Sequence, residues 1–386
     1  VMGNEAGDLD SLACAIAFAY LSHQRTPADR PWLPLVQTAQ ADFKLRLENQ
    51  LALKACLIDE QNVISLDDFT RWEEAERNEG RVEAALVDHC KLSARWKGNV
   101  DVKAVIDHHA DETLYATALP RIVSRPTDCG SCASLIAMHF KDELSKVDAG
   151  AEISRLLLSA IAIDTHNLDP AIGKAKAVDR EAAQLLTPFA DLGSSTLMSL
   201  LSTTALEGQP KRLDIFHDAL SKAKDGVSHL NMRDLCRRDY KQYEWPSANP
   251  SKPWRVGLTS VPWSLDAWTR RDSEEPFLQD CEKFCKETNI HFLGILCSFM
   301  DESTFRRQAL MYARAPSEGE LTAVVEVMTR IEKEKREELH MEKLNVADIS
   351  PKEQVGNFVR IWEQKNLKAT RKQVAPAFKE VCEEVA

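Results

Sequence analysis

The sequence lacks several features that would assign it to a class at once. None of its apolar runs approaches the roughly 18–20 residues of a membrane span, which predicts no contact with a membrane. It contains no internal repeat, no low-complexity tract and no glycine-glycine pair. No secretory signal precedes the first acidic motif, but Val1 follows no initiator methionine. We therefore expect residues to be missing before Val1, which leaves a targeting segment open.

A cysteine framework is also absent, although the chain has ten cysteines. Cys129 and Cys132 form a C-x-x-C motif, and no second motif of that kind completes a zinc site. Buried, reduced thiols are the better interpretation, which predicts a reducing compartment.

The chain has no excess of positive charge. Its 49 Lys and Arg residues are outnumbered by 60 Asp and Glu residues, which gives a net charge of −11. A general nucleic-acid binder needs a broad basic face, so the composition argues against one. An anionic substrate remains compatible, provided that local basic groups or bound metal ions receive it. The length of 386 residues predicts about two domains.

The hydrophobic pattern indicates an α/β fold with a mainly parallel sheet flanked by helices. Apolar runs at 84–87 and 102–106 read as buried strands, and the patterns at 11–20 and 153–163 read as helices. The composition turns polar around 206–228, where we expect an inter-domain linker.

Polar side chains collect where these elements begin or end. Ligands gather at the carboxyl ends of the strands in open α/β sheets. Carboxylates with one or two imidazoles suit Mg²⁺ or Mn²⁺, and two such ions about 3.5–4 Å apart are typical of two-metal hydrolases. Each residue alone also fits a solvated turn or a helix cap. The set comprises Asn4, Asp8, Asp10, Asp88, His108, His109 and Asp164.

The order of these motifs resembles the DHH phosphoesterase superfamily. "GNEAGDLDS" at 3–11, "LVDH" at 86–89, "VIDHH" at 105–109 and "AIDTHN" at 162–167 look like its four motifs in order. The resemblance implies a DHH domain over 1–205, the linker at 206–228 and a smaller α/β DHHA2 domain over 229–386. It also implies an active site in the cleft between the two domains.

Within the superfamily, the Gly-Asn-Glu opening resembles eukaryotic exopolyphosphatases. Asn4 stands where family II inorganic pyrophosphatases carry His, and His109 is kept where prune-like relatives usually have Arg. The related nucleases have a Gly-Gly motif that is missing here, which does not favour a nuclease.

Two basic stretches look like the phosphate-binding motifs of the DHHA2 domain: "LCRRDYKQY" at 235–243 and "STFRRQ" at 303–308. Phe305 departs from the pyrophosphatase pattern, which has Arg at that position. The first stretch could alternatively be a solvated helix face. The expected substrate-binding residues here are Arg238, Lys241, Arg306 and Arg307. "TDCGSCASL" at 127–135 adds Ser131, which would either bind phosphate at a helix N-terminus or cap that helix.

The resemblance implies two divalent cations, Mg²⁺ or Mn²⁺, bridged by Asp88. Asn4, Asp8 and Asp88 would hold the first, and Asp10, Asp88, His108 and Asp164 the second. His109 would orient the terminal phosphate or aid proton transfer, and Asp107 would hold the histidine pair. His89 is either a supporting or a packed residue.

The implied activity is that of an exopolyphosphatase, which releases the terminal phosphate of inorganic polyphosphate by in-line attack of a water between the metals. The alternatives are a pyrophosphatase, a prune-like nucleotide phosphoesterase, and a metal-binding scaffold without activity. The resemblance further implies a monomer in the cytosol, with mitochondria as a second location, and no nucleic-acid partner.

Overall fold

The computed structural model divides the chain into two compact units, Val1–Gly226 and Val227–Ala386. Each unit has a hydrophobic core of its own. The residues that the structure describes are 1–26, 31–76, 82–96, 98, 100–125, 127–201, 212–249, 251–270, 277–315, 317–346, 349 and 357–385.

The first unit is built from helices around a short parallel sheet. Its helices are α1 (Leu9–Arg25), α2 (Leu47–Ala55), α3 (Leu66–Glu76), α4 (Cys132–His139), α5 (Gly150–Asp164), α6 (Ala177–Leu186), α7 (Ser195–Leu200) and α8 (Arg212–Asp225). Its strands are β1 (Val82–Val87), β2 (Val100–Asp107) and β3 (Arg121–Val123).

The sheet of the first unit has the order β1-β2-β3, and all of its pairs are parallel. Met2 adds a parallel bridge to Leu86 on β1 and another to Leu35, so the chain start extends the sheet beyond β1. The strands expected at 84–87 and 102–106 are present. Because the neighbours run parallel, the segments after Met2, β1 and β2 emerge at one edge.

Helices α1, α4 and α5 pack against one another over this sheet. Their buried faces are rich in Ala, Leu and Ile, as in the fully buried Ala13, Ile136 and Leu157. The small residues let the helix axes approach closely. Helix α1 begins at Leu9 because the Asp8 side chain accepts a hydrogen bond from the Ser11 N–H at 3.0 Å.

The second unit has a six-stranded mixed sheet in the order β4-β5-β6-β7-β9-β8, in which only β5 and β6 pair in parallel. The strands are β4 (Tyr240–Trp245), β5 (Trp254–Val261), β6 (Phe292–Asp301), β7 (Thr304–Arg314), β8 (Met341–Lys343) and β9 (Asn357–Gln364). The helices are α9 (Met232–Arg238), α10 (Leu265–Thr269), α11 (Phe277–Glu287), α12 (Glu318–Glu334) and α13 (Arg371–Glu384).

The expected α/β class, with a parallel sheet in the first part and a second sheet in the C-terminal part, is confirmed. The stretch expected to be a linker includes helix α8, which buries Phe216 and Leu220 and packs on α2 and α5. Residues 202–211, where that linker begins, lie outside the described residues. The boundaries at 205 and 229 stay a prediction. No helix in the described ranges has both the length and the apolarity to cross a membrane.

Candidate metal centre

The parallel sheet of the first unit brings three motif segments to one edge. The Met2 N–H donates to Ala85 O at 2.9 Å and the Val87 N–H donates to Met2 O at 3.1 Å, which places Asn4 beside Asp88. The Asp88 N–H donates to Ile106 O at 3.0 Å, which places Asp88 beside the end of β2. Segments distant in sequence therefore meet through backbone pairing alone.

Asp88 is the centre of the resulting cluster. It is buried, and its φ of 61° lies in the left-handed region that non-glycine residues seldom adopt. Its Oδ2 accepts hydrogen bonds from Asn4 Nδ2 at 2.6 Å and from Ser11 Oγ at 2.7 Å. Its Oδ1 lies 3.2 Å from His108 Nε2 and 3.7 Å from His109 Nδ1. One oxygen is thus anchored, while the other faces both imidazoles.

Asp88, His108 and His109 form a group that fits a metal ion, since their ligand atoms lie within 4.8 Å of one another. Asp88 Oδ1 is buried and makes no hydrogen bond with any residue that the structure describes. A buried carboxylate oxygen without a hydrogen bond is costly unless a cation or water satisfies it. A carboxylate with two imidazoles is a donor set that binds divalent cations well.

The electrostatics of Asp88 and His108 are tightly linked. Burial raises the pKa of Asp88, but close contact with His108 and the positive charges of His109 and His108 outweigh it and hold the pKa well below its usual range. Burial lowers the pKa of His108, but Asp88, Cys129 and Asp10 raise it well above its usual value. Asp88 and His108 therefore favour each other's charged forms, and a cation that bound His108 Nε2 would take the place of a proton there.

Asp10 lies beside this group at the N-terminus of α4. Its oxygens accept hydrogen bonds from Ser131 Oγ at 2.9 Å, the Cys132 N–H at 2.7 Å and the Ala133 N–H at 2.8 Å. Its Oδ2 also lies 3.8 Å from His108 Nε2. Burial, together with the negative charges of Asp88 and other nearby carboxylates, raises the pKa of Asp10 well above its usual value. A cation in the group would relieve that repulsion.

This geometry differs from the expected phosphate-binding role of Ser131. The Ser131 side chain is fully buried and donates to Asp10, and the two N–H groups that follow it do the same. A protein carboxylate therefore already occupies the positive end of α4, where the sequence suggested a phosphate. The structure gives Ser131 the task of holding Asp10.

Asn4 also faces the centre in an unexpected way. Its Nδ2 donates to Asp88, while its Oδ1 accepts a hydrogen bond from the Ala6 N–H at 2.8 Å. The amide thus presents a donor to Asp88, and its oxygen, the atom that would bind a cation, is already used. Asn4 orients Asp88 in this structure, and its role as a direct ligand stays a prediction.

Asp8 and Asp164 lie at the ends of α1 and α5, outside the three-residue group. Burial and the charge of Asp8 raise the pKa of Asp164, whereas the positive charge of Lys224 lowers it. The charges of His108 and Asp88 also act on Asp164, so the carboxylate belongs to the same electrostatic environment. Their roles as ligands of a second ion stay predictions.

Asp107 holds the histidine pair. Its Oδ1 accepts hydrogen bonds from the His108 N–H at 2.8 Å, the His109 N–H at 3.1 Å and His109 Nδ1 at 2.8 Å. This arrangement fits the orienting role expected for Asp107. His89 Nδ1 donates to the Val87 carbonyl at 3.0 Å, and the choice between a supporting and a packed residue stays a prediction.

Three buried side chains that the sequence did not single out fix the loop that carries Asn4. Gln37 Nε2 donates to Gly3 O at 2.5 Å, an Arg46 nitrogen donates to Ala6 O at 2.7 Å, and Asn49 Nδ2 donates to Gly7 O at 2.9 Å. These three residues come from later segments with no motif, so no signal in the sequence links them to the loop.

The four basic candidates lie in the second unit. Arg238 ends α9 just before β4, where Tyr240 pairs with Thr259, and Arg307 pairs with Ser298 on β6. Because Thr259 pairs with Ile295, these sites lie towards the same end of the sheet. Lys241 follows on β4, half-buried, and Arg306 precedes Arg307 on β7.

Arg306 and Arg307 make contacts within the second unit. Arg306 donates to Glu363 at 2.9 Å and to Asp301 at 2.6 Å. Arg307 donates to the Leu367 carbonyl at 2.8 Å, and its guanidinium lies 5.1 Å from the centre of the Phe305 ring. Phe305, the departure noted in the sequence, thus packs against an expected phosphate-binding residue.

Comparison with known families agrees with this site. Carboxylates and imidazoles gathered at one edge of a parallel sheet are a donor set that suits a divalent cation. The model of the DHH family N-terminal domain matches residues 1–163, and that of the DHHA2 domain matches residues 218–381. The chain therefore carries a DHH-family N-terminal domain followed by a DHHA2 domain, as the motifs predicted.

Several relatives match over long ranges. A Schizosaccharomyces pombe protein, provisionally named exopolyphosphatase, is 26% identical over 100% of this chain and 91% of its own length. The rat and human proteins named exopolyphosphatase PRUNE1 are 29% and 28% identical over 78% of this chain, and the match spans 60% of their length. A Methanococcus jannaschii structure, provisionally assigned as a family II inorganic pyrophosphatase, shares the fold at a TM-score of 0.55 and 19% identity, covering 97% of this chain and 96% of that one.

Proposed function

We propose that this protein is an exopolyphosphatase that hydrolyses the terminal phosphate of inorganic polyphosphate and releases orthophosphate. The observation that carries the proposal is the group of buried Asp88, buried His108 and half-buried His109, with one Asp88 oxygen lacking a hydrogen bond among the described residues. The DHH and DHHA2 domains and the names of the relatives support the choice of substrate.

The residues present fit two divalent cations, Mg²⁺ or Mn²⁺. Asp88 and His108 would hold them together with Asp10, Asp164 and Asp8. When bound, the cations would neutralise these carboxylates, bind the terminal phosphate and lower the pKa of an attacking water.

Around that centre, side chains of the protein would orient the terminal phosphate and neutralise the negative charge of the substrate. Asp107 fixes the His109 ring through Nδ1, which leaves Nε2 to contact the terminal phosphate or to move a proton. Lys241, Arg238 and Arg307 would neutralise the rest of the anionic chain. Arg306 would join them where phosphate displaced its carboxylate partners, Glu363 and Asp301.

The proposal is tested by Asp88→Asn. The neutral amide removes the central anion at nearly constant shape, so we expect phosphate release from polyphosphate to fall by at least about a thousandfold, or roughly 4 kcal/mol in the barrier. Circular dichroism should show an unchanged fold. Asp101→Asn, which breaks only a surface ion pair with Lys103 on β2, is the matched control and should keep full activity. Turnover close to normal in Asp88→Asn would reject the proposal.

The substrate is tested separately with the wild-type protein. Phosphate release should be compared across diphosphate, triphosphate and long-chain polyphosphate with Mg²⁺ or Mn²⁺ present. Preference for diphosphate would indicate a pyrophosphatase, the activity provisionally assigned to the Methanococcus jannaschii protein that shares the fold. Hydrolysis of nucleotides alone would indicate a nucleotide phosphoesterase, and metal binding without hydrolysis would indicate a scaffold. A monomeric state, a cytosolic or mitochondrial location and the absence of a nucleic-acid partner remain predictions.

A further inference from the structure

Asp179, on a helix outside the four motifs, binds the loop that begins α4. It is fully buried at the third residue of α6. Its carboxylate accepts hydrogen bonds from the Gly130 N–H at 2.8 Å, the Ser131 N–H at 3.3 Å, Ser134 Oγ at 2.7 Å and the Lys176 N–H at 2.7 Å. The last bond caps α6, the bonds from Gly130 and Ser131 hold the loop, and the bond from Ser134 holds the first turn of α4.

The residues that directly follow this loop, at the start of α4, hold Asp10. The N–H groups of Gly130 and Ser131 point to Asp179, while those of Cys132 and Ala133 point to Asp10. Four consecutive N–H groups are therefore divided between two buried carboxylates. A shift that lost the first two bonds would also displace the two donors that fix Asp10.

The loop has no room to relax beside Asp179. A Cβ added at Gly130 would lie 2.8 Å from Asp179 Oδ2 and 2.9 Å from Thr165 Cγ2. Thr165 directly follows Asp164, so the loop is confined between Asp179 and the end of the helix that carries another candidate ligand. The close approach explains why glycine occupies this position.

We propose that Asp179 is a positioning residue for the metal centre and acts through the α4 N-terminus on Asp10. This inference rests on the proposed metal centre but not on the choice of polyphosphate as substrate. Helix capping explains only the bond from Lys176, and the bonds from Gly130, Ser131 and Ser134 hold the loop and the first turn of α4. Because a carboxylate only accepts hydrogen bonds, an amide at this position would set its NH₂ group against backbone N–H donors.

The test is the Mn²⁺ affinity of the full-length, metal-free protein, measured by isothermal titration calorimetry without substrate. Asp179→Asn should weaken Mn²⁺ binding about 10- to 100-fold, the range for residues that support metal ligands. Saturating Mn²⁺ should largely restore the kcat of the variant. Asp68→Asn is the matched control, since Asp68 caps α3 from the same third position by accepting from the Ser65 N–H at 2.9 Å. It should lower the melting temperature without weakening Mn²⁺ binding.

Ser134→Ala tests the proposal in a milder way, because it removes only one of the bonds to Asp179, and we expect roughly a threefold loss of Mn²⁺ affinity. It also serves if Asp179→Asn does not fold. Unchanged Mn²⁺ affinity in whichever variant folds, with only a lower melting temperature, would overturn the positioning role. A protein that binds Mn²⁺ as described but does not hydrolyse polyphosphate would refute the proposed function and leave this inference intact.

Discussion

At the scale of single residues, Ser11 links two parts of the candidate centre. Its hydroxyl accepts a hydrogen bond from the Asn4 N–H at 2.9 Å and donates to Asp88 Oδ2 at 2.7 Å. A Cβ at Gly3 would lie 2.7 Å from the Ser11 Cβ, so the chain before Asn4 passes directly over this side chain. Ser11 thus fixes both the backbone of Asn4 and the carboxylate of Asp88.

We expect Ser11→Ala to weaken Mn²⁺ binding about tenfold, because Asp88 loses one of the donors that anchor it. Titration calorimetry on the metal-free protein measures this loss. Ser154→Ala is the control, since the Ser154 hydroxyl is fully buried on α5 and has no hydrogen-bond partner among the described residues. That variant should bind Mn²⁺ normally, and an equal loss in both variants would contradict the role of Ser11.

The sequence identified Asp88, His108 and His109 because their motifs occur in a characteristic order. It could not show that Asn4 donates to Asp88, or that Ser131 donates to Asp10, because both depend on contacts between distant segments. A serine before a helix reads equally well as a phosphate ligand or as a cap. Only the position of Asp10 decides what that helix end binds.

At the scale of elements, His291 joins two parallel strands of the second unit. Its imidazole Nδ1 accepts a hydrogen bond from the Arg255 backbone N–H at 3.0 Å, and the His291 backbone N–H donates to the Arg255 carbonyl at 2.8 Å. Burial, followed by the positive charges of Arg255 and Arg314, lowers the pKa of His291 to about 4, although Glu320 opposes the shift. The start of β6 is therefore held to β5 by a neutral imidazole.

This link predicts a pH-dependent stability. Unfolded His291 takes up a proton near its usual pKa of 6.5, whereas folded His291 does so only near 4. The stabilisation is therefore complete above the unfolded pKa and is lost as the pH falls from there towards the folded pKa. The free energy of unfolding should fall by about 2 kcal/mol between about pH 7.5 and about pH 5. Urea unfolding of the wild type and of His291→Asn, which keeps an acceptor for Arg255, measures it. The variant should lose less stability over that range, and identical slopes would refute the assignment.

Elements with a strong pattern could be predicted, whereas weakly patterned ones could not. Strands β1 and β2 follow from short β-branched or apolar runs, and α1 and α5 follow from apolar spacing over many turns. The polar region beyond residue 205 looked like a linker, yet α8 forms there because Phe216 and Leu220 lie four residues apart on one face. The short apolar stretch at 33–36 forms no strand and contributes isolated bridges from Leu35 to Met2 and Ile64.

At the scale of the whole molecule, an acidic chain concentrates further negative charge in a buried centre. The net charge is −11, and Asp10 and Asp88 are both buried in the first unit with Asp164 acting on them. Their repulsion opposes folding unless a cation or a proton compensates it. The order of the motifs along the chain could be predicted from sequence, but the burial of these charges required the structure.

Metal removal should therefore lower the stability of the protein. At a free Mn²⁺ concentration about a hundredfold above the dissociation constant, binding adds about 2.7 kcal/mol to the free energy of unfolding. For a unit of this size, that raises the melting temperature by roughly 5–10 °C. Scanning calorimetry with Mn²⁺ and with a chelator measures the shift. Asp88→Asn should abolish most of it, and a wild-type melting temperature indifferent to Mn²⁺ would refute the metal centre.

The three side chains that clamp the Asn4 loop affect how relatives should be interpreted. Gln37, Arg46 and Asn49 lie outside every motif and donate to three carbonyl groups of that loop, those of Gly3, Ala6 and Gly7. A relative that kept all four motifs but replaced these three residues would retain the ligands and lose their preorganisation. Intact signatures would then coexist with poor ion affinity, so surveys that infer catalytic competence should inspect these three positions as well.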